Sequence, residues 1–291
     1  MDVLAELKSP YSTDSILFHG VVALRGDGKV VALVDSRPGD AGHVVSVWDV
    51  AEPRAPKLLA HWETSAPGSY PVGSAAFLAD DRLAIVRDSA VRIERLPSGE
   101  ATDEGSATAV AMRGGLFVGD DAARAVLAGV ENPIMYGLLA SPDGRFVAMT
   151  NRNREAGDGF ILDLSTGKQA RKLPRRPLAF SADGRLLAAY VRKHVVGLFE
   201  RDHKWKPRGM TIGPFDYSFH ATLSPDGARL LVVGKAPDEP RGQYRPITVW
   251  DLATGARIGD HEKSMRAFAW LGDRVVLGLQ DDGNAQILAV P

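Results

Sequence analysis

The feature that most constrains this chain is one turn written over and over. Ser-Pro-Asp-Gly occurs at 141–144 and 224–227, with the variant Ser-Ala-Asp-Gly at 181–184. Weaker copies are Arg-Gly-Asp-Gly at 25–28, Ala-Asp-Asp-Arg at 79–82, Met-Arg-Gly-Gly at 112–115 and Gly-Asp-Arg starting at Gly272. From Asp27 to Asp273 the copies recur about every 41 residues. A period in this range marks an array of small supersecondary units.

The turn has a local physical reading. Pro presets φ near −65° at its second position, Asp can bond the backbone beyond it, and Gly takes the positive φ. Apolar runs on either side pair as hairpins: YGLLA with RFVAMT, PLAF with RLLAAYV, HATL with ARLLVV. A third strand follows each hairpin, at 43–50, 90–96, 159–164, 194–200, 246–252 and 285–290. A shorter fourth strand, such as PKLLAHW at 56–62, follows most of these. The echo of GFILDLSTGKQARKL in RPITVWDLATGARIGD is this third-to-fourth connection written twice. Nothing reads as a helix of any length, so the fold class is all-β. One four-stranded unit cannot bury both its faces, and stacking units around an axis buries them against one another.

Val-Trp-Asp at 47–49 and again at 249–251, together with the Ser-Pro-Asp-Gly turns, resembles the WD-repeat family of β-propellers over nearly the whole chain. The departures are plain. Leu162-Asp163 and Phe199-Glu200 stand where the family places Trp-Asp, and its Gly-His opening is missing. The resemblance implies one domain over 1–291, with Trp250 a buried core aromatic. Residues 285–290 are a third strand with no fourth behind them, and DVLAELK at 2–8 reads like a fourth strand. The expectation is therefore a seven-bladed β-propeller whose ring is closed by the N-terminal strand. The alternative is six blades, with the irregular repeat around 106–130 an insertion and residues 1–8 a tail.

Composition narrows the function classes. With no Cys, the chain has no disulfide, thiolate zinc site or cysteine nucleophile. The net charge of −1 gives no global pull toward nucleic acid or anionic membrane. The N-terminus is acidic rather than basic and has no apolar core, unlike a secretory signal. The expected compartment is the cytoplasm, without membrane association. The seven His are dispersed, and no helical metalloprotease spacing, nucleophile elbow or P-loop is present. No catalytic, cofactor or metal-ligating residue is nominated. Acid pairs such as Asp80-Asp81 and Asp120-Asp121 fall at turns, where Asp is favoured for backbone bonding.

Two surfaces stand out. Long connections at 35–43, 151–159 and 234–246, with those at 8–15, 63–72 and 213–218, are expected on one face of the propeller. They would display Tyr11, Tyr70, Tyr217 and Tyr244 with Arg37, Arg152, Arg154, Arg241 and Arg245, types enriched at protein-binding hot spots. Residues 167–210 carry twelve Lys/Arg against three acids, whereas 1–133 carry twelve against nineteen. This basic flank includes Lys172, Arg175, Arg176, Lys204, Lys206 and Arg208, with Trp205 as a candidate exposed aromatic. It suits an acidic protein partner, or the protection of sheet edges against self-pairing. The leading expectation is a non-enzymatic protein-interaction module. The rivals are a metal-dependent hydrolase or lactonase working at the axial funnel, and nucleic-acid binding by the basic sector.

Overall fold

The computed structural model describes residues 1–8, 20–25, 27–36, 43–64, 74–77, 82–87, 90–96, 100–102, 109–112, 115–118, 136–150, 159–192, 195–215, 217–235, 247–261, 263, 265–280 and 284–291. Among them all regular structure is β-strand, and no helix is long and apolar enough to cross a membrane. The chain forms two compact units, one of residues Met1–Ala111 with Ser264–Pro291, the other of Met112–Lys263.

The first unit holds three four-stranded antiparallel sheets. One runs β2 (Gly20–Leu24), β3 (Val30–Ser36), β4 (His43–Asp49), β5 (Lys57–Thr64). The next runs β6 (Ser74–Phe77), β7 (Arg82–Arg87), β8 (Ala90–Arg95), β9 (Glu100–Thr102). The third is β24 (Met265–Gly272), β25 (Val275–Gln280), β26 (Ala285–Ala289) and, as its fourth strand, β1 (Asp2–Leu7). Here β1 lies antiparallel to β26, from Asp2 opposite Ala289 to Leu7 opposite Ala285. At the sequence junction of the units, β10 (Ala109–Met112) and β11 (Gly115–Val118) form a two-stranded sheet.

The second unit repeats the plan. Its sheets are β12 (Tyr136–Ala140), β13 (Phe146–Thr150), β14 (Gly159–Asp163), β15 (Lys168–Leu173); β16 (Pro177–Phe180), β17 (Leu186–Arg192), β18 (Val195–Glu200), β19 (Lys206–Ile212); and β20 (Tyr217–Leu223), β21 (Arg229–Lys235), β22 (Ile247–Asp251), β23 (Arg257–His261). Within each unit the first strand of one sheet lies beside the first strand of the next. The third strands fall within a residue or two of the positions read from the repeat.

Period-two alternation explains why the middle strands are apolar throughout. Val31 and Leu33 of β3 pack with Leu277, Leu279 and Ile287 on one side. Their neighbours Ala32 and Val34 pack with Leu83 and Ile85 on the other. In β17, Leu187 and Ala189 face Phe146 and Ile161, while Ala188 and Tyr190 face Leu230 and Val232. A strand buried on both faces loses the polar half of its pattern. Trp48, at the corresponding end of β4, is buried at 8% exposure. Trp250, expected to be buried, is only half-buried. It meets Phe215 edge-on at 5.9 Å and donates its indole N–H to Thr248 Oγ1 at 3.0 Å. Trp48 makes the same i, i−2 bond to Ser46 Oγ, also at 3.0 Å. The same bond therefore accompanies a buried indole at 48 and a half-buried one at 250, so it does not set the depth of the ring.

The recurring turn is held chiefly by its serine. Ser141, Ser181 and Ser224 are buried, and each accepts a backbone N–H five residues on while donating to the turn Asp. Gly144, Gly184 and Gly227 follow at φ +66, +68 and +69, a region that L side chains rarely adopt. Burial alone would raise the carboxyls of Asp143, Asp183 and Asp226, but hydrogen bonds from the serine hydroxyl and from backbone N–H groups outweigh it and hold them below the ordinary range. At Asp27 the Arg25 side chain brings the carboxyl down to about 2. Folded-state pKa values depressed in this way add stability above the unfolded value of about 3.9, and lose it as pH falls toward the folded value. The triple variant Asp143→Asn, Asp183→Asn, Asp226→Asn is expected to be less stable than wild type at pH 7, with the gap closing below about pH 4. Urea unfolding across that range checks it; a gap independent of pH would show that ionisation of these groups contributes nothing.

Candidate functional site

The six four-stranded sheets differ most in their outer strands. In the first unit these expose apolar side chains, Val3 on β1 and Leu58 and Leu59 on β5. In the second unit β15 and β19 expose cations. Lys168 and Lys172 on β15, and Lys206 and Arg208 on β19, are all exposed, and Arg171 is half-buried. Arg175 and Arg176 follow β15 as half-buried residues in its connection to β16.

Part of this charge is compensated locally. Glu200 pairs with Arg208 at 3.3 Å and with His203 Nδ1 at 2.6 Å. Arg185 pairs with Asp202 at 2.9 Å, and Arg201 with Asp143 at 2.6 Å. These four contacts engage every acidic residue of 167–210 except Asp183, and the cations of the outer strands still outnumber them.

Between β15 and the strands β17–β19 lies a groove of about 630 Å³. Its lining includes Leu173, Val191, Phe199 and Met210 together with Arg171 and Lys172, and among the described residues no acid. Two glycines shape the groove. Gly197 packs so closely on Val191 that a Cβ there would meet Val191 Cγ1 at 2.5 Å. Gly209, at φ +86, occupies a bulge of β19 with nothing within 4 Å of where a Cβ would point. The ladder of β18 and β19 shifts register between Gly197 and Phe199, so β19 bends here, as bulged strands do.

The floor of the groove rests on a cluster anchored by Trp205. The sequence suggested an exposed ring; the structure corrects this, with Trp205 only 2% exposed. Its ring meets Phe146 at 5.3 Å and Phe180 at 5.8 Å, both edge-on, in the cluster that contains Leu173 and Phe199. Lys204 and Trp205 adopt φ +56 and +57 in the β18–β19 turn, which swings the indole inward while leaving Lys204 exposed. Charged neighbours on both sides gave the appearance of a surface residue; the left-handed turn reverses that reading.

Of the loop-face candidates, Tyr11, Arg37, Tyr70, Arg152, Arg154, Arg241, Tyr244 and Arg245 lie outside the described residues. Tyr217 opens β20 with its backbone opposite Lys235. Among the described residues, no three His, Asp or Glu side chains cluster so as to hold a metal ion.

One polar cluster escaped the sequence reading. His43 on β4 and Glu94 on β8 are buried and joined Nε2 to Oε1 at 3.2 Å, while Trp62 Nε1 donates to Glu94 Oε2 at 2.7 Å. The acid in the third strand Ala90–Arg95 was the available signal, but its partners come from another repeat.

No protein-family model matches this sequence, and no curated protein does. Solved structures do. The β-propeller domain of Cps50 (Swd1) from Myceliophteria thermophila aligns with a TM-score of 0.65 at 12% identity, covering 99% of this chain and 100% of that one. Sqt1 from Chaetomium thermophilum aligns with a TM-score of 0.63, also at 12% identity, covering 99% and 98%. With the repeated four-stranded sheets, their adjoining first strands and the Trp-Asp ends of β4 and β22, these likenesses give the chain the fold of the WD-repeat β-propellers.

Proposed function

We propose that this protein is a non-enzymatic protein-interaction scaffold, a single seven-bladed domain over 1–291 with β1 closing the ring, acting in the cytoplasm. The observation that carries the reading is the concentration of exposed cations on β15 and β19, beside an apolar groove on a rigid sheet scaffold. Rigid sheets displaying a charged, partly apolar surface favour recognition of a protein of opposite charge. The partner is an acidic protein. Nucleic acid is disfavoured, since Trp205, the aromatic expected to stack on bases, is buried.

Affinity capture from native lysate tests this with three proteins: wild type, a loop-face variant (Arg152, Arg154, Arg241 and Arg245 to Ala) and a flank variant (Lys172, Lys206 and Arg208 to Ala). A stoichiometric acidic partner lost only in the flank variant is the expected result. Loss only in the loop-face variant moves the site there, and no stoichiometric partner for any of the three sinks the scaffold reading.

Ring closure has its own test. Leu7 is fully buried within the core of its unit, and deleting residues 1–8 would strip β26 of its outer neighbour. The deletion is expected to lower the melting temperature of the whole protein in one cooperative step; an unchanged melting temperature would show that β1 locks nothing.

A further inference from the structure

We infer that the groove between β15 and β19 is a docking site for an extended acidic peptide carrying apolar side chains, the mode by which the scaffold proposed above takes its partner. The inference rests on that reading and adds the site and the chemistry of the ligand.

Three observations converge. The groove is lined by the outer strands of two successive sheets, each the last strand of its own sheet. Strand edges present backbone donors and acceptors along a line, which an extended chain matches. Its floor is apolar: Leu173 and Phe199 are buried from below, and Val191 and Met210 are half-buried. A volume of about 630 Å³ lies in the range of real ligand sites. Its wall carries Arg171 and Lys172 with no acid among the described lining residues, and Lys168, Lys206 and Arg208 add exposed cations along the same two strands.

These features select among occupants. Like charge on both strands opposes a second copy of this face, so edge pairing between copies is disfavoured while an acidic chain is admitted. An aliphatic floor with Phe199 buried offers no exposed ring for a base to stack on, which favours peptide over nucleic acid. Apolar side chains of the peptide would rest on Val191 and Met210, the half-buried apolar residues of the floor, and its carboxylates would face Arg171 and Lys172.

Fluorescence anisotropy with the full-length protein tests the site. The probes are short labelled peptides rich in Asp and Glu, with two adjacent positions varied among Leu, Met, Phe and Val. Controls are the same peptide without apolar positions and an oligothymidylate of equal length. The blocking variant is Thr211→Trp. Thr211 is exposed, lines the groove and lies opposite Gly197 in the ladder, so a large ring there takes up part of the groove. The charge variant is Arg171→Glu with Lys172→Glu, and melting temperatures confirm that both variants fold.

At least one acidic–apolar peptide is expected to bind about tenfold more tightly than the all-acidic control, with affinity falling as salt shortens the Debye length from about 10 Å to about 3 Å. Each variant is expected to lose about tenfold. The inference is overturned if no apolar position improves on the control, if Thr211→Trp binds like wild type, or if the oligothymidylate binds more tightly than every peptide. Failure here is separable from failure of the scaffold reading. A lysate partner still captured by Thr211→Trp removes the groove and keeps the scaffold, whereas peptides that obey the groove variants with no lysate partner keep the groove alone.

Discussion

Replacing Glu94 by Ala is expected to destabilise the protein by about 3–5 kcal/mol, since each buried donor left without its acceptor costs about 1–3 kcal/mol. Glu94 is fully buried, and its carboxylate accepts from both His43 Nε2 and Trp62 Nε1. Truncation leaves two donors without their acceptor: His43 is 1% exposed, and its Nδ1 already has no hydrogen-bond partner among the described residues. The loss is therefore dominated by desolvated groups left behind rather than by the net worth of the pair. Glu94→Gln, which keeps an acceptor oxygen of the same shape, is expected to lose less than half as much. Urea unfolding of the three proteins at pH 7 measures it. A cost below about 1 kcal/mol for the Ala variant would mean that the site opens to water, and β4 and β8 would then be less tightly packed than their geometry indicates.

The second large effect is at Trp205. Two consecutive non-Gly residues at positive φ cost about 1–2 kcal/mol each, and the turn tolerates them because of what it delivers. A buried Trp removes about 150–250 Å² from water, worth about 4–6 kcal/mol at 25 cal/mol per Å². Its ring also fills the space between Phe146 and Phe180. Arg201, in the same turn, lies 4.7 Å above the Phe146 ring and reaches Asp143, so this turn ties two sheets of the second unit together. Trp205→Ala is expected to cost about 3–5 kcal/mol, since the cavity appears while the backbone strain stays. Lys204→Gly, which relieves strain and removes no buried surface, is expected to stabilise by up to about 1 kcal/mol. Opposite signs from adjacent residues, read from denaturation midpoints, would confirm that burial at 205 holds the strained turn in place. If Lys204→Gly destabilised instead, the positive φ at 204 would be carrying a stabilising contact of the lysine itself.

Much of the fold was legible because the repeat encodes it locally. Ser-Pro-Asp-Gly at 141–144 and 224–227 specifies a positive φ at the Gly and an Asp that bonds the backbone, both found in place. The Asp-Leu-Ser-Thr-Gly and Asp-Leu-Ala-Thr-Gly connections do the same, with Gly167 at φ +67 and Gly255 at φ +73. The contribution of the serine was not visible in the same way, because its two hydrogen bonds need the hairpin already folded. Trp250 was assigned to the core from its motif, yet how deep a strand-end aromatic sits depends on the neighbouring sheet rather than on its own strand.

The candidate site was legible only as charge. Lys and Arg counts located the basic flank, and β15 and β19 expose it. The groove within it arises from contacts between repeats. A glycine at 197 pressed on Val191 and a bulge at Gly209 leave space only once β15 of the preceding sheet stands opposite. The same holds for Trp205, which local polarity placed outside and a left-handed turn placed inside.

The sequence by itself determined the all-β class, the spacing of the strands and the chemistry of the turns, because those follow from backbone preferences and period-two patterning within a few residues. Tertiary structure alone decided which acid is buried with which histidine, which tryptophan is core, and where the basic flank hollows into a groove. Each of those depends on side chains from different sheets meeting, and the free energy of such a meeting is set by packing and desolvation that no single repeat contains.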